Sequence, residues 1–156
     1  MYDIPKDMLD AMRSTEAVYR KLLEGVTQER AQTSRGGDEG WTIVEVLCHL
    51  RDAEERSVER ARKMATEDHP LLEAYDQEVW ARERRYSEES VTNALEGFLR
   101  HKREHIALLE GLPAEAWKRT GHHEEWGHID IHSQALHMIA HDFQHAAQIA
   151  RQLEGR

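Results

Sequence analysis

Four stretches of this chain repeat their apolar residues every three or four positions, and each is framed by residues that start or stop a helix. The first runs from about Pro5, a first-turn proline after Asp3, to about Glu29, through Met8, Leu9, Met12, Val18, Leu22 and Val26. The second opens at Thr42-Ile-Val-Glu45, where the hydroxyl can cap the third amide while the carboxylate reaches back. It continues through Ile43, Val46, Leu47, Leu50, Ala53, Val58, Ala61 and Met64, and Asp68-His-Pro70 ends it because the residue before proline avoids helical angles. A third, with a box at or near Ser87-Glu-Glu-Ser90, carries Val91, Leu95, Phe98, Ile106 and Leu109 and stops at Gly111 and Pro113. The fourth starts near Asp130 and stops at Gly155. Four amphipathic helices of about 20–25 residues predict an all-α four-helix bundle. One domain over residues 1–156 is expected, without repeats or linkers. Between the helices, Ser34 to Gly40 reads as a Gly-rich charged loop and residues 114–129 as irregular. Tyr75 and Trp80 suggest a short helix within Leu71 to Arg85, laid over one end of the bundle.

Composition narrows the function. Only 3 Pro and 9 Gly occur in 156 residues, and with many Ala, Leu, Glu and Arg these low counts favour a helical protein. Lys+Arg number 21 against 30 Asp+Glu, a net charge of −9, which argues against binding nucleic acid or an anionic membrane. No uncharged apolar run approaches the roughly 18 residues of a membrane span. The single cysteine, Cys48, allows no intrachain disulfide, and the first residues show no basic-then-apolar leader. A cytoplasmic protein is expected. The unexplained feature is histidine, 11 residues of it.

Three of these, His137, His141 and His145, stand four apart on the fourth helix, so they share one face. Eight residues of helix rise about 12 Å while metal–imidazole bonds are about 2 Å, so all three cannot hold one ion. At 100° per residue the apolar centre of this helix lies ~90° from His145, ~130° from His141 and ~170° from His137. His141 and His145 therefore border the interior, and His137 belongs at the rim. A third ligand must come from another helix. His49 flanks the apolar stripe of the second helix and is the one histidine within it. Three imidazoles plus an open position would make a catalytic type of metal site. The pair His101 and His105, among Lys102, Arg103 and Glu104, reads as a solvated face, and His122, His123, His128 and His132 read as exposed.

Asp142 falls inside the apolar stripe of its helix, where an unpaired carboxylate is costly. Either it orients a ligand imidazole by accepting from its second nitrogen, or it bonds a Tyr, Trp or Arg of another helix. Asp52 and Glu45, near His49, are open to the same orienting role or to surface positions. Arg56 and Arg60 follow His49 along nearly the same flank and could hold a substrate carboxylate or pair with neighbouring glutamates. Cys48 points away from the apolar centre of its helix.

The segment Trp41-Thr-Ile-Val-Glu-Val-Leu-Cys-His49-Leu-Arg-Asp-Ala-Glu54 resembles the helix-two signature of the DinB/YfiT-like superfamily, and His141-Asp-Phe-Gln-His145-Ala-Ala-Gln-Ile149 resembles its helix-four signature. Together with the element order, the resemblance covers nearly the whole chain. It implies that superfamily's bundle connectivity, often a homodimer, with a divalent metal on His49, His141 and His145, the trio the helical wheel selects. Zinc or nickel is the expected ion, manganese another, since imidazole serves all of them. Relatives of this kind include enzymes that use low-molecular-weight thiols such as mycothiol or bacillithiol.

Three readings follow. In the first, a metal-dependent transferase activates a small thiol against an electrophilic small-molecule substrate, with Asp142 orienting a ligand. The alternative is metal-dependent hydrolysis, since no serine- or cysteine-nucleophile signature is present. The third is a non-catalytic, stress-associated metal-binding bundle. A shared bundle does not choose among them.

Overall fold

The computed structural model describes residues 3–155. Met1, Tyr2 and Arg156, the ends of the domain read from the sequence, lie outside them. It is a four-helix bundle. Its long helices are α1 (Ile4–Leu22), α3 (Ile43–Thr66), α5 (Val91–Glu110) and α6 (Ile131–Glu154). Two short helices, α2 (Gln28–Thr33) and α4 (Gln77–Glu83), lie in the connections. Among the described residues no helix is long and apolar enough to cross a membrane.

Local chemistry sets the boundaries. The Thr42–Glu45 box forms as expected: the Glu45 amide donates to Thr42 Oγ1 at 3.3 Å and the Thr42 amide to Glu45 Oε2 at 2.7 Å. Asp130 and Ser133 make a second reciprocal box at the start of α6. The first helix is shorter than expected. It ends at Leu22, the chain turns through Gly25 at φ 73°, and Thr27 caps the separate α2. Ser90 caps α5 directly, while residues 86–88 form a single 3-10 turn. Trp80 does lie in a short helix, α4, where Tyr75 packs against it with ring centroids 4.3 Å apart.

The two connections expected to be loops contain strands. Ser34 to Gly40 includes β1 (Arg35–Gly36), paired antiparallel with β2 (Trp41–Thr42). Residues 114–129, expected to be irregular, hold a 3-10 turn and a hairpin of β4 (Thr120–His123) and β5 (Gly127–Asp130). β3 (Leu71–Leu72) joins β4 in parallel, Leu71 opposite His122. At Gly121 the strand lies close to Leu72: a Cβ there would stand 2.7 Å from the Leu72 side chain, which would have to shift. The hairpin thereby seats against the exit of α3 and makes a wall at one side of the bundle.

Apolar residues fill the bundle interior in two layers. One gathers Tyr19, Trp41, Leu47, Phe98, Leu99 and Ile149, the other Met8, Met12, Met64, Leu72, Trp117 and Ile131. Each long helix also contributes buried polar groups: Thr15 from α1, His49, Asp52, Glu54, Ser57 and Arg60 from α3, Lys102 and His105 from α5, and Asp142 from α6. Polar atoms buried in this way must find partners or a ligand. The candidate site begins with one of them, His49.

Candidate metal centre

α3 and α6 bring His49, His141 and His145 together. One nitrogen from each ring lies within 4.8 Å of those of the other two, and the Nε2 atoms of His49 and His141 are 2.9 Å apart. The rings pack edge to face, with centroids 4.5 to 5.1 Å apart, and Trp41 closes one side of His49. His137 stays at the rim, its ring 6.0 Å from that of His141 and against Trp126.

Burial sets the charge of the trio. It pushes His49 down to about 3, with His145 adding to the effect and Asp52 opposing it. Burial likewise holds His141 well below the ordinary imidazole value, and lowers His145 against an opposing bond from Gln148. All three imidazoles are therefore neutral at neutral pH, the state in which a ring nitrogen offers a lone pair. The buried Nδ1 atoms of His49 and His141 have no hydrogen-bond partner among the described residues. A cluster of neutral nitrogens this close, with no carboxylate bonded to it, suits a divalent cation.

Gln148 is a contributor the sequence reading passed over. Its amide nitrogen donates to the Gly36 carbonyl at 3.3 Å, which turns its oxygen toward His145 Nδ1 at 2.8 Å. Nδ1 must then be the protonated nitrogen of His145, leaving Nε2 to face the cluster. The available signal was position, three residues after His145 on the same helix. The loop matters as well, since a Cβ on Gly37 would collide with the Gln148 amide at 2.4 Å.

Asp142 does not orient a ligand imidazole. Its Oδ2 lies 2.6 Å from Lys102 Nζ and accepts from Thr15 at 3.4 Å, while Tyr19 donates to its backbone oxygen at 2.6 Å. Neither offered alternative is met at the carboxylate, since the partner is a lysine. Lys102 also donates to Glu54 Oε2 at 2.7 Å, and His105 Nδ1 lies 2.6 Å from Glu54 Oε1. His105 is thus a core residue and not part of a solvated face, while His101 is partly buried beside Glu104. His123 is buried too, contrary to the exposure expected of it. Burial pushes Glu54 up, but Lys102 and His105 outweigh it and hold the carboxyl at about 2.

Three other expectations change. Asp52 is buried among Arg51, Arg84 and the Tyr86 hydroxyl, and Glu45 is committed to its capping box, so neither bonds His49. Cys48 is fully buried, its sulfur 3.9 Å from the Tyr86 carbonyl, and burial pushes the thiol up to about 12. The two arginines part company. Arg56 pairs with Glu59 at 2.7 Å, whereas Arg60 is buried against the cavity.

That cavity, about 610 Å³, opens directly beside the trio. His49 and His141 line its floor, Arg60 and Ser57 one flank, and the hairpin residues His123 and Trp126 its wall. A bundle with an interior cluster of neutral histidines facing a cavity of small-molecule size belongs to the class of candidate metal-dependent enzymes. The model of the DinB superfamily matches residues 11–149, and the chain belongs to that superfamily. It is 32% identical over 131 residues to a protein of Oceanobacillus iheyensis named "Putative metal-dependent hydrolase", covering 82% of this chain and 73% of that one. Bacillus subtilis YfiT, which bears the same description, is 28% identical over 144 residues, 90% of this chain and 79% of its own. A solved structure of YfiT superposes with a TM-score of 0.87 at 22% identity, over 97% of this chain and 86% of that one, and it is described as having an unusual four-helix bundle topology.

Proposed function

We propose that the protein is a metal-dependent hydrolase of a small-molecule ester or amide, with His49, His141 and His145 as the metal ligands. The observation that carries this reading is the trio itself: neutral imidazoles from two helices, one buried and two half-buried, within 4.8 Å of one another, with His49 and His141 lining a cavity. The names of the relatives point the same way.

A divalent cation held there would act as a Lewis acid, lowering the pKa of water and polarising a carbonyl. The chain does the rest. Gln148 fixes the tautomer of His145, Trp41 packs beside His49, and the α6 backbone holds His141 and His145 one turn apart. Hydrolysis breaks the acyl bond, places the water oxygen on the acyl carbon, and leaves one proton on the departing group. Thiol transfer would use the same trio, and its thiol must come from solution because Cys48 is in the core.

Elemental analysis of dialysed full-length protein tests the reading. About one divalent ion per chain is expected in wild type and none in His145→Ala, with zinc, nickel and manganese distinguished in the same run. Nitrophenyl esters should be cleaved only by the loaded wild type. Turnover of an electrophile solely in the presence of a small thiol would move the assignment to a transferase. No ion uptake by wild type from zinc, nickel or manganese would sink both.

A further inference from the structure

The cavity has a second, positively charged region. α3 lines it with His49, Ala53, Ser57 and Arg60, one face of one helix in steps of four and three. Arg60 is only 6% exposed, yet among the described residues no carboxylate pairs with it. Its Nη2 donates to the Glu73 carbonyl at 2.5 Å, and its Nε is buried with no hydrogen-bond partner. A buried guanidinium without a counter-ion is costly, and its planar fork of donors matches a carboxylate two bonds at a time.

The surroundings favour an organic anion. The guanidinium lies 5.7 Å from the centre of the Trp126 ring, which is stacked on His123 at 4.0 Å and 10°. His123 Nε2 is also buried and unpartnered. Two carboxylates share the cavity, Asp76 and Glu125. Asp76 is occupied in capping α4 through the amides of Glu78 and Val79, and neither acid pairs with Arg60. Arg56, one turn earlier, is neutralised by Glu59 and by Glu73 at 3.7 Å. Eleven residues separate His49 from Arg60, a helical rise of about 16 Å, so the guanidinium and the histidines His49 and His141 line one cavity at well-separated points along it.

We propose that this cavity selects an elongated organic carboxylate. The carboxylate sits on Arg60, an apolar midsection runs along Trp126, and the hydrolysable bond lies at the three histidines. The position of the cleaved bond rests on the hydrolase reading. The anion site rests on Arg60 alone.

Titration calorimetry with an unreactive pair, phenylbutyrate and its neutral amide, tests the anion site in metal-free and zinc-loaded full-length protein. Wild type is expected to prefer the acid by about tenfold or more in both states. Arg60→Gln should bring the ratio to about one, Arg60→Lys should keep part of it, and Arg56→Gln should leave it intact. Circular dichroism melts confirm that each variant is folded. Should Arg60→Gln not fold, the acid-to-amide ratio in wild type and Arg60→Lys still decides. Equal binding of acid and amide by wild type, a preference that survives in Arg60→Gln, or no detectable binding of the acid would overturn the proposal. Tighter binding of phenyl phosphate than of the acid would overturn the choice of a carboxylate. Failure of metal uptake or turnover leaves the ratio in metal-free protein unchanged, so the two readings fail separately.

Discussion

Two polar groups within the bundle, one drawn from α3, α5 and α6 and the other from α3 and α6 alone, have been treated in opposite ways. In one, Lys102 pairs with the carboxylates of Glu54 and Asp142 at 2.6 to 2.7 Å, and His105 Nδ1 bonds Glu54 at 2.6 Å. In the other, His49, His141 and His145 bring ring nitrogens together with no carboxylate among them, and His49 and His141 line a cavity. The first balances its charges from within, although His105 Nε2 and Asp142 Oδ1 also lack a hydrogen-bond partner among the described residues. The second is unfinished without something from outside. Depth alone therefore does not mark a functional residue, because His105 is buried more deeply than His145 and serves the bundle.

Removing Lys102 should break the comparison most sharply. Lys102→Met leaves two carboxylates buried without their cation and is expected to cost about 3–5 kcal/mol in urea unfolding. The metal content of the chains that remain folded should not change. A small loss would mean the charged group is wetter than its burial implies.

Acid should separate the two groups next. An imidazole with an ordinary value near 6.5 unfolded and about 3 in the fold, as for His49, stabilises metal-free protein fully above about pH 6.5 and loses that contribution as pH falls toward 3. Glu54, held at about 2, loses its contribution only below about pH 4.5. Asp142 acts in the other direction: burial pushes it up to about 6, so its contribution is present below about pH 3.8 and lost as pH rises through 6. Three imidazoles outweigh that one carboxyl, so thermal stability of the metal-free protein is expected to fall from pH 7 to pH 5. Saturating zinc should move the loss to lower pH.

Smaller effects sharpen the picture. Gln148→Ala frees His145 to choose its tautomer and should weaken zinc affinity about 10–100-fold in a competition titration. Cys48, whose thiol lies near 12, should fail to react with a disulfide reagent at pH 8 until the chain is unfolded.

Much of this is legible in the sequence. The Thr42–Glu45 capping box and the proline stop give α3, and Asp130 and Gly155 give α6, nearly to the residue, and angles around those helices pick the histidine trio. A helical wheel measures only one helix, however. It places Cys48 on the far side of an apolar stripe, but α3 is central and Tyr86 covers that side. It identifies Asp142 as needing a partner but cannot show that α5 presents Lys102 to it. The hairpin escaped because its four-residue strands, rich in His and Gly, carry almost no alternating apolar signal.

The union of that hairpin with β3 has a kinetic meaning. Strands β4 and β5 are joined by three residues and can zip within microseconds, whereas Leu71 and His122 meet only by closing a loop of about fifty residues. The wall beside the histidines is therefore expected to be sealed late in folding. It is held there by few bonds, the His122 amide to the Pro70 carbonyl and the Glu124 amide to the Leu72 carbonyl among them. Those amides should exchange with deuterium well before the interior of α3, each opening briefly parting the wall while the helices stay folded.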